Sequence, residues 1–227
     1  MGLIRRPGLK SAVSFCFGAA LLLLASPLVA PQLLAFPHYA EAGDSRIWSE
    51  TEIDPVALER VIARSEALIE ASRIARKSEP RHIFLTDGGW RWMWLANSSH
   101  ESFALTRAAT DPVILVNRSD LAADTVHADR PFANRRRLSA VIAHEATHGM
   151  LRRHFGILRS ISQPAWLSEG YSDHVAQEST LSDAEAERML ASGESHPALF
   201  YYQSRRRVAE ILESNGGDVD ALFEEKD

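Results

Sequence analysis

Two histidines four residues apart, inside a stretch with helical apolar spacing, constrain this chain more than any other feature. The stretch is Ala143-His144-Glu145-Ala146-Thr147-His148-Gly149. On an α-helix, side chains four apart differ by about 40° in azimuth and about 6 Å in height. His144 and His148 therefore project from one face and can reach one metal ion. Glu145 is turned by about 100° from His144. It flanks such an ion without ligating it, where it can take a proton from a bound water. Histidines and glutamate in this pattern point to metal-assisted hydrolysis.

The whole chain narrows the reading further. Its 227 residues are 45% hydrophobic, enough for one domain with a proper core plus an appendage. A net charge of -5 argues against nucleic acid as a partner. The arginine runs Arg135-Arg136-Arg137 and Arg205-Arg206-Arg207 read as solvated helix faces. The only cysteine, Cys16, lies in the apolar N-terminal segment. Any zinc in the remainder must then be held by nitrogen and oxygen.

Arg5, Arg6 and Lys10 precede an uncharged run from Ser11 to Ala40 that contains four successive leucines. A basic flank before such a run is either a signal anchor or a signal peptide. Leu28-Val29-Ala30 has a large residue where a cleavage site needs a small one, and Ala40-Glu41-Ala42 lies far past the apolar centre. The expectation is an uncleaved membrane contact through residues 11–36, with secretion after cleavage as the alternative. Either way the positive-inside rule puts the rest of the chain outside the cytoplasm, on the periplasmic or outer side. The expected division is residues 1–40 as anchor or signal and 41–227 as the working domain.

Within that domain, Arg46 to Ser49 reads as a strand. Asp54-Pro55 then caps and opens a helix reaching to about residue 76. Ile83-Phe84-Leu85 reads as a strand closed by Asp87-Gly88-Gly89. Trp90, Trp92 and Trp94 fit a strand or a helical face equally, and structural packing is the expected role of the tryptophans. Residues 102–109 and 113–117 read as two strands across a Thr110-Asp111-Pro112 turn. Helices are expected over 134–155, from Pro164 to about 178, over 182–191 and over 197–214. Gly156 suits a left-handed stop, and Ser182 with Glu185 makes a capping box.

Two histidines leave a zinc ion one protein ligand short. His154 lies six residues after His148, but on a helix continuing to Phe155 it sits about 120° around and points away. It reads as a solvated helix end. The other candidate is Glu169 in Trp166-Leu167-Ser168-Glu169-Gly170-Tyr171-Ser172-Asp173. With this run and the histidine pair, residues 142–176 resemble the gluzincins, the thermolysin-like zinc metallopeptidases.

The resemblance implies an α+β fold, a small N-terminal sheet packed on a zincin-like helical half that carries the active-site helix. It implies Zn2+ held by His144, His148 and Glu169, with Glu145 as the base and Asp173 accepting the outer N–H of a ligating histidine. Tyr201 is the first candidate to steady the oxyanion, ahead of Tyr202 and His174. The implied substrate is a peptide or protein, and Val113 to Asn117 is the expected edge strand to pair with it. A zinc-binding envelope protein without catalysis is the rival reading.

Overall fold

In the computed structural model, which describes residues 24–107 and 113–224 with scattered positions from 14 to 22, the chain forms two units. These are residues 1–36 and residues 37–227. The first shows two short 3-10 turns, Ser26–Leu28 and Pro31–Leu34. Among the described residues no helix is long and apolar enough to cross a membrane. The basic flank and much of the leucine run lie outside the described residues, as does the Thr110-Asp111-Pro112 turn.

The second unit is α+β, a mixed sheet followed by a helical half. Its strands are β1 (His38–Ala42), β2 (Ser45–Ser49), β3 (Arg81–Thr86), β4 (Ala104–Thr106), β5 (Val113–Asp120), β6 (Thr125–His127) and β7 (Arg135–Arg137). Helix α1 (Pro55–Glu70) lies between β2 and β3, and α2 (Trp90–Ala96) between β3 and β4. After β7 come α3 (Leu138–Phe155), α4 (Ile157–Ser162), α5 (Ala165–Ala176), α6 (Asp183–Ser192), α7 (Pro197–Ser214) and α8 (Val219–Leu222).

The strands lie in the order β1-β2-β3-β5-β6-β7, with β4 also on β5. The pairs β2–β3 and β3–β5 are parallel and all the others antiparallel. Ile47, Ile83 and Ile114 fall in register across the three central strands. They join Leu58, Val61 and Ile62 of α1 and Leu138 and Ile142 of α3 in one buried core. Burying that common row is what fixes the register, since a one-residue slip would turn every isoleucine outward.

The topology corrects the expected edge strand. One side of β5 pairs with β3, while β4 pairs with its residues Ile114 to Val116 and β6 with Arg118 to Asp120. The Val113 to Asn117 segment is therefore interior. The edge is β4, whose second side has no strand partner among the described residues. Asn117 shapes the approach to it, its side-chain amide donating to the Ser102 carbonyl at 2.9 Å and its backbone N–H to Phe103 at 2.8 Å.

Other elements depart from the expected boundaries for local reasons. The helix carrying His144 and His148 begins at Leu138 and not at residue 134, because Arg135–Arg137 pairs with β6 as a strand. Alternation along a strand then sends Arg136 inward, and it is buried, not part of a solvated helix face. Helix α1 stops at Glu70, where the Ser72 hydroxyl meets Tyr171 Oη at 2.8 Å. The tryptophans lie on a helix. Trp92 is buried and donates Nε1–H to the His100 carbonyl at 2.9 Å, whereas Trp90 and Trp94 are exposed.

Gly156 has φ 86° and ψ 155°, so it is not the left-handed helical stop expected. It is a corner that glycine enters without strain, and α4 starts at the next residue. That helix buries none of its residues, so it leaves no apolar period in the sequence. The capping box of Ser182 and Glu185 and the span of α7 stand as read.

The N-terminus of α3 has no cap of its own. Asp124, from the turn between β5 and β6, supplies one. Its Oδ1 accepts from Ser139 N–H at 2.8 Å, its Oδ2 from Ser139 Oγ at 2.9 Å, and its carbonyl from Leu138 N–H at 3.0 Å. A carboxylate there also complements the helix dipole. Asp124 adopts φ 52°, which aspartate and asparagine tolerate better than alanine. Asp124→Ala is expected to cost about 2–3 kcal/mol in chemical denaturation, and Asp124→Asn below about 1 kcal/mol. Equal losses would show that the cap is not what holds the helix start.

Candidate metal centre

Helix α3 presents His144 and His148 one turn apart, and α5 brings Glu169 against them. The two Nε2 atoms are 3.2 Å apart. His144 Nε2 lies 3.4 Å from Glu169 Oε2, and His148 Nε2 lies 3.6 Å from Glu169 Oε1. Ligands at about 2.0–2.1 Å from one tetrahedral ion stand about 3.4 Å from each other. The group could therefore hold a metal ion, and its two imidazoles and one carboxylate, without thiol, are a donor set that zinc accepts.

Glu169 reaches this position because α5 and α7 cross at backbone contact. A Cβ on Gly170 would lie 2.5 Å from the Ser204 carbonyl oxygen. Only glycine beside Glu169 allows that approach, so the glycine of the Trp166–Gly170 run is a packing requirement. The same crossing brings Tyr201, one turn before Ser204, to the site.

Behind His144 stands Asp173, one turn after Glu169 and fully buried. Its Oδ1 lies 2.7 Å from His144 Nδ1 and accepts from Arg136 Nη2 at 2.9 Å, and its Oδ2 accepts from Ser179 Oγ at 2.9 Å. Burial alone would raise the Asp173 pKa, but Arg136, then His144 and Ser179, hold it down at about 2. Burial disfavours the His144 cation, yet Asp173 and Glu169 outweigh it and push the imidazole up to about 10. Burial pushes His148 down instead. Burial would raise Glu169, but the two histidines leave its carboxyl below the usual range. A proton and a metal compete for the same nitrogen of His144. With Asp173 accepting from Nδ1–H, Nε2 is the nitrogen that faces His148 and Glu169.

Glu145 is buried beside this group and is not part of it. The Thr106 hydroxyl of edge strand β4 lies 2.8 Å from its Oε2 and 2.9 Å from its backbone carbonyl. A cleft of ≈ 460 Å³ is lined by Ala104 to Thr106, His144, Glu145, His148, Glu169 and Tyr201. A second hollow of ≈ 360 Å³ begins on the other side of Thr106 and Glu145. Burial, then the Glu169 and Asp173 charges, push the Tyr201 pKa up, so its phenol keeps its proton.

Of the alternatives to Tyr201, Tyr202 points into a separate apolar cluster with Leu199 and Met189. His174 lines a small hollow beside Tyr171 and Leu212. His154 pairs with Asp220 at 2.8 Å, away from the metal ligands. Thr106, Arg136, Ser179 and Asp124 were not among the residues singled out by sequence. Their roles depend on partners 6 to 39 residues away.

Glu169→Ala is expected to abolish stoichiometric zinc in the purified protein. Asp173→Asn should keep the zinc but weaken it by about 10–100-fold in chelator competition. Full zinc affinity in both variants would dissolve the assignment of these two carboxylates.

No protein-family model matches the chain, and neither any curated protein nor any solved structure does. The geometry of the site stands on its own residues.

Proposed function

We propose that this protein is a zinc-dependent peptide hydrolase of gluzincin type. The observation that carries the reading is a metal-ligand triangle next to a buried carboxylate that is not one of its ligands. A structural metal site needs no such neighbour, because four-coordinate structural sites are closed by ligands alone.

Zinc held by His144, His148 and Glu169 would supply Lewis acidity and a water of lowered pKa. Glu145 takes the proton of the attacking water and returns it to the leaving amine. The Thr106 hydroxyl orients one Glu145 oxygen and leaves the other for this transfer. Tyr201 donates its phenolic hydrogen to the oxygen on which negative charge develops. The free side of β4 offers backbone donors and acceptors to an extended peptide, which explains why an edge strand borders the cleft. The substrate is accordingly a peptide or protein. The basic flank and apolar run suit a membrane anchor with the catalytic part outside the cytoplasm.

Glu145→Gln is expected to retain one zinc per chain and to lower kcat by about 10²–10⁴-fold on a peptide mixture read by mass spectrometry. Tyr201→Phe should lower kcat by about 10²-fold with KM little changed. Undiminished cleavage by Glu145→Gln would remove the mechanism.

A further inference from the structure

Arg130 has no place in the chemistry above, yet it lines the metal cleft. Its guanidinium sits 4.3 Å over the Phe103 ring, at the start of edge strand β4. Its Nε is sealed from solvent and has no hydrogen-bond partner among the described residues. Nor does its side chain form an ion pair there. The nearby Arg136 is committed to Asp173 and the Glu178 carbonyl, each at 2.9 Å.

Burial lowers the Arg130 pKa, which reflects the cost of holding a charge partly away from water. Glu101 favours its charge, Arg136 opposes it, and neither Glu101 nor the protonated Tyr201 forms an ion pair or hydrogen bond with it. With its carbon over the Phe103 ring and its Nε sealed, the guanidinium is left with its two terminal nitrogens, which make no hydrogen bond or ion pair among the described residues. Two terminal donors in one plane, beside an aromatic and without a partner among the described residues in a cleft, match a carboxylate.

We infer that Arg130 is the specificity residue of the cleft and holds a carboxylate of the bound peptide. The carboxylate is either the chain terminus or an acidic side chain. The inference rests on the peptide-hydrolase reading only in taking the ligand to be a peptide. From Thr106 to Phe103 is about 10 Å along a strand, so the held group lies about three residues from the Glu145 end of the cleft.

The test uses the zinc-loaded full chain carrying Glu145→Gln, which separates binding from turnover. Three peptides of one core sequence are titrated by calorimetry. One has a free C-terminal carboxylate, one is amidated with a single glutamate, and one is amidated and neutral. A carboxylate peptide should bind about 10–100-fold tighter than the neutral one. Which of the two gains identifies the terminus or the side chain. Adding Arg130→Gln should bring the ratio to within about twofold.

Arg130→Lys keeps charge without the fork and should give an intermediate ratio, which serves if the glutamine variant fails to fold. No binding, no preference, a preference that survives Arg130→Gln, or an Arg130→Lys ratio equal to that of the parent would each overturn the inference. Cleavage by the parent chain is scored separately. Equal cleavage and binding of all three peptides would leave the hydrolase and remove Arg130. A carboxylate preference without cleavage would do the reverse.

Discussion

Asp173 is a carboxylate with no access to water, and the arrangement of the helical half follows from keeping its charge satisfied. Three donors from three elements converge on it: His144 from α3, Arg136 from β7 and Ser179 from the turn after α5. Removing one partner of a buried charged pair costs about 3–5 kcal/mol, because the other is left uncompensated. Such a knot does little for net stability against a hydrophobic alternative, but it tolerates only one arrangement of its members. It thereby couples the end of the sheet to both helices that carry the candidate metal-binding group. His144 is fixed in azimuth by a bond on its far nitrogen, and Glu169 lies one turn away on the helix that carries Asp173.

The sheet contributes in a second way. Through Thr106, its edge strand touches the carboxylate that is not a ligand, and through Phe103 it supports the Arg130 guanidinium. Strand β4 is only three residues long and, among the described residues, paired on one side, so its approach depends on Asn117 filling the loop before it. The long interior strand β5 can carry two short partners on one side because it outlasts both. That length puts a backbone edge without a strand partner among the described residues beside the histidines, and strand edges left open bind extended chains or cause aggregation.

Helix crossings supply the remaining precision. The close contact at Gly170 places α7 against α5 at the turn that carries Glu169. The α3 start is held by a carboxylate from outside the helix, with Asp124 accepting from Ser139. Ligands on rigid helices with anchored ends need little reorganisation when an ion enters.

Local residue pattern was enough to place His144 and His148 on one helical face, since four-residue spacing acts within a single element. It also gave the proline-led starts of α1 and α7 and the capping box of α6, all of which act within one turn. The glutamate on α5 and the aspartate one turn beyond it came from a resemblance in the run Trp166 to Asp173, not from spacing. What tertiary structure alone decided was every relation between distant segments. Edge position passed from β5 to β4 because pairing, not composition, determines which strand is outermost. Arg136 went inside because a short strand precedes α3, and three arginines in a row carry no record of which one a carboxylate will meet. Thr106, Ser179 and Asp124 are ordinary polar residues in sequence. Their functions exist only where the fold closes them onto Glu145, Asp173 and Ser139, since a hydrogen bond between remote segments leaves no periodic trace in either.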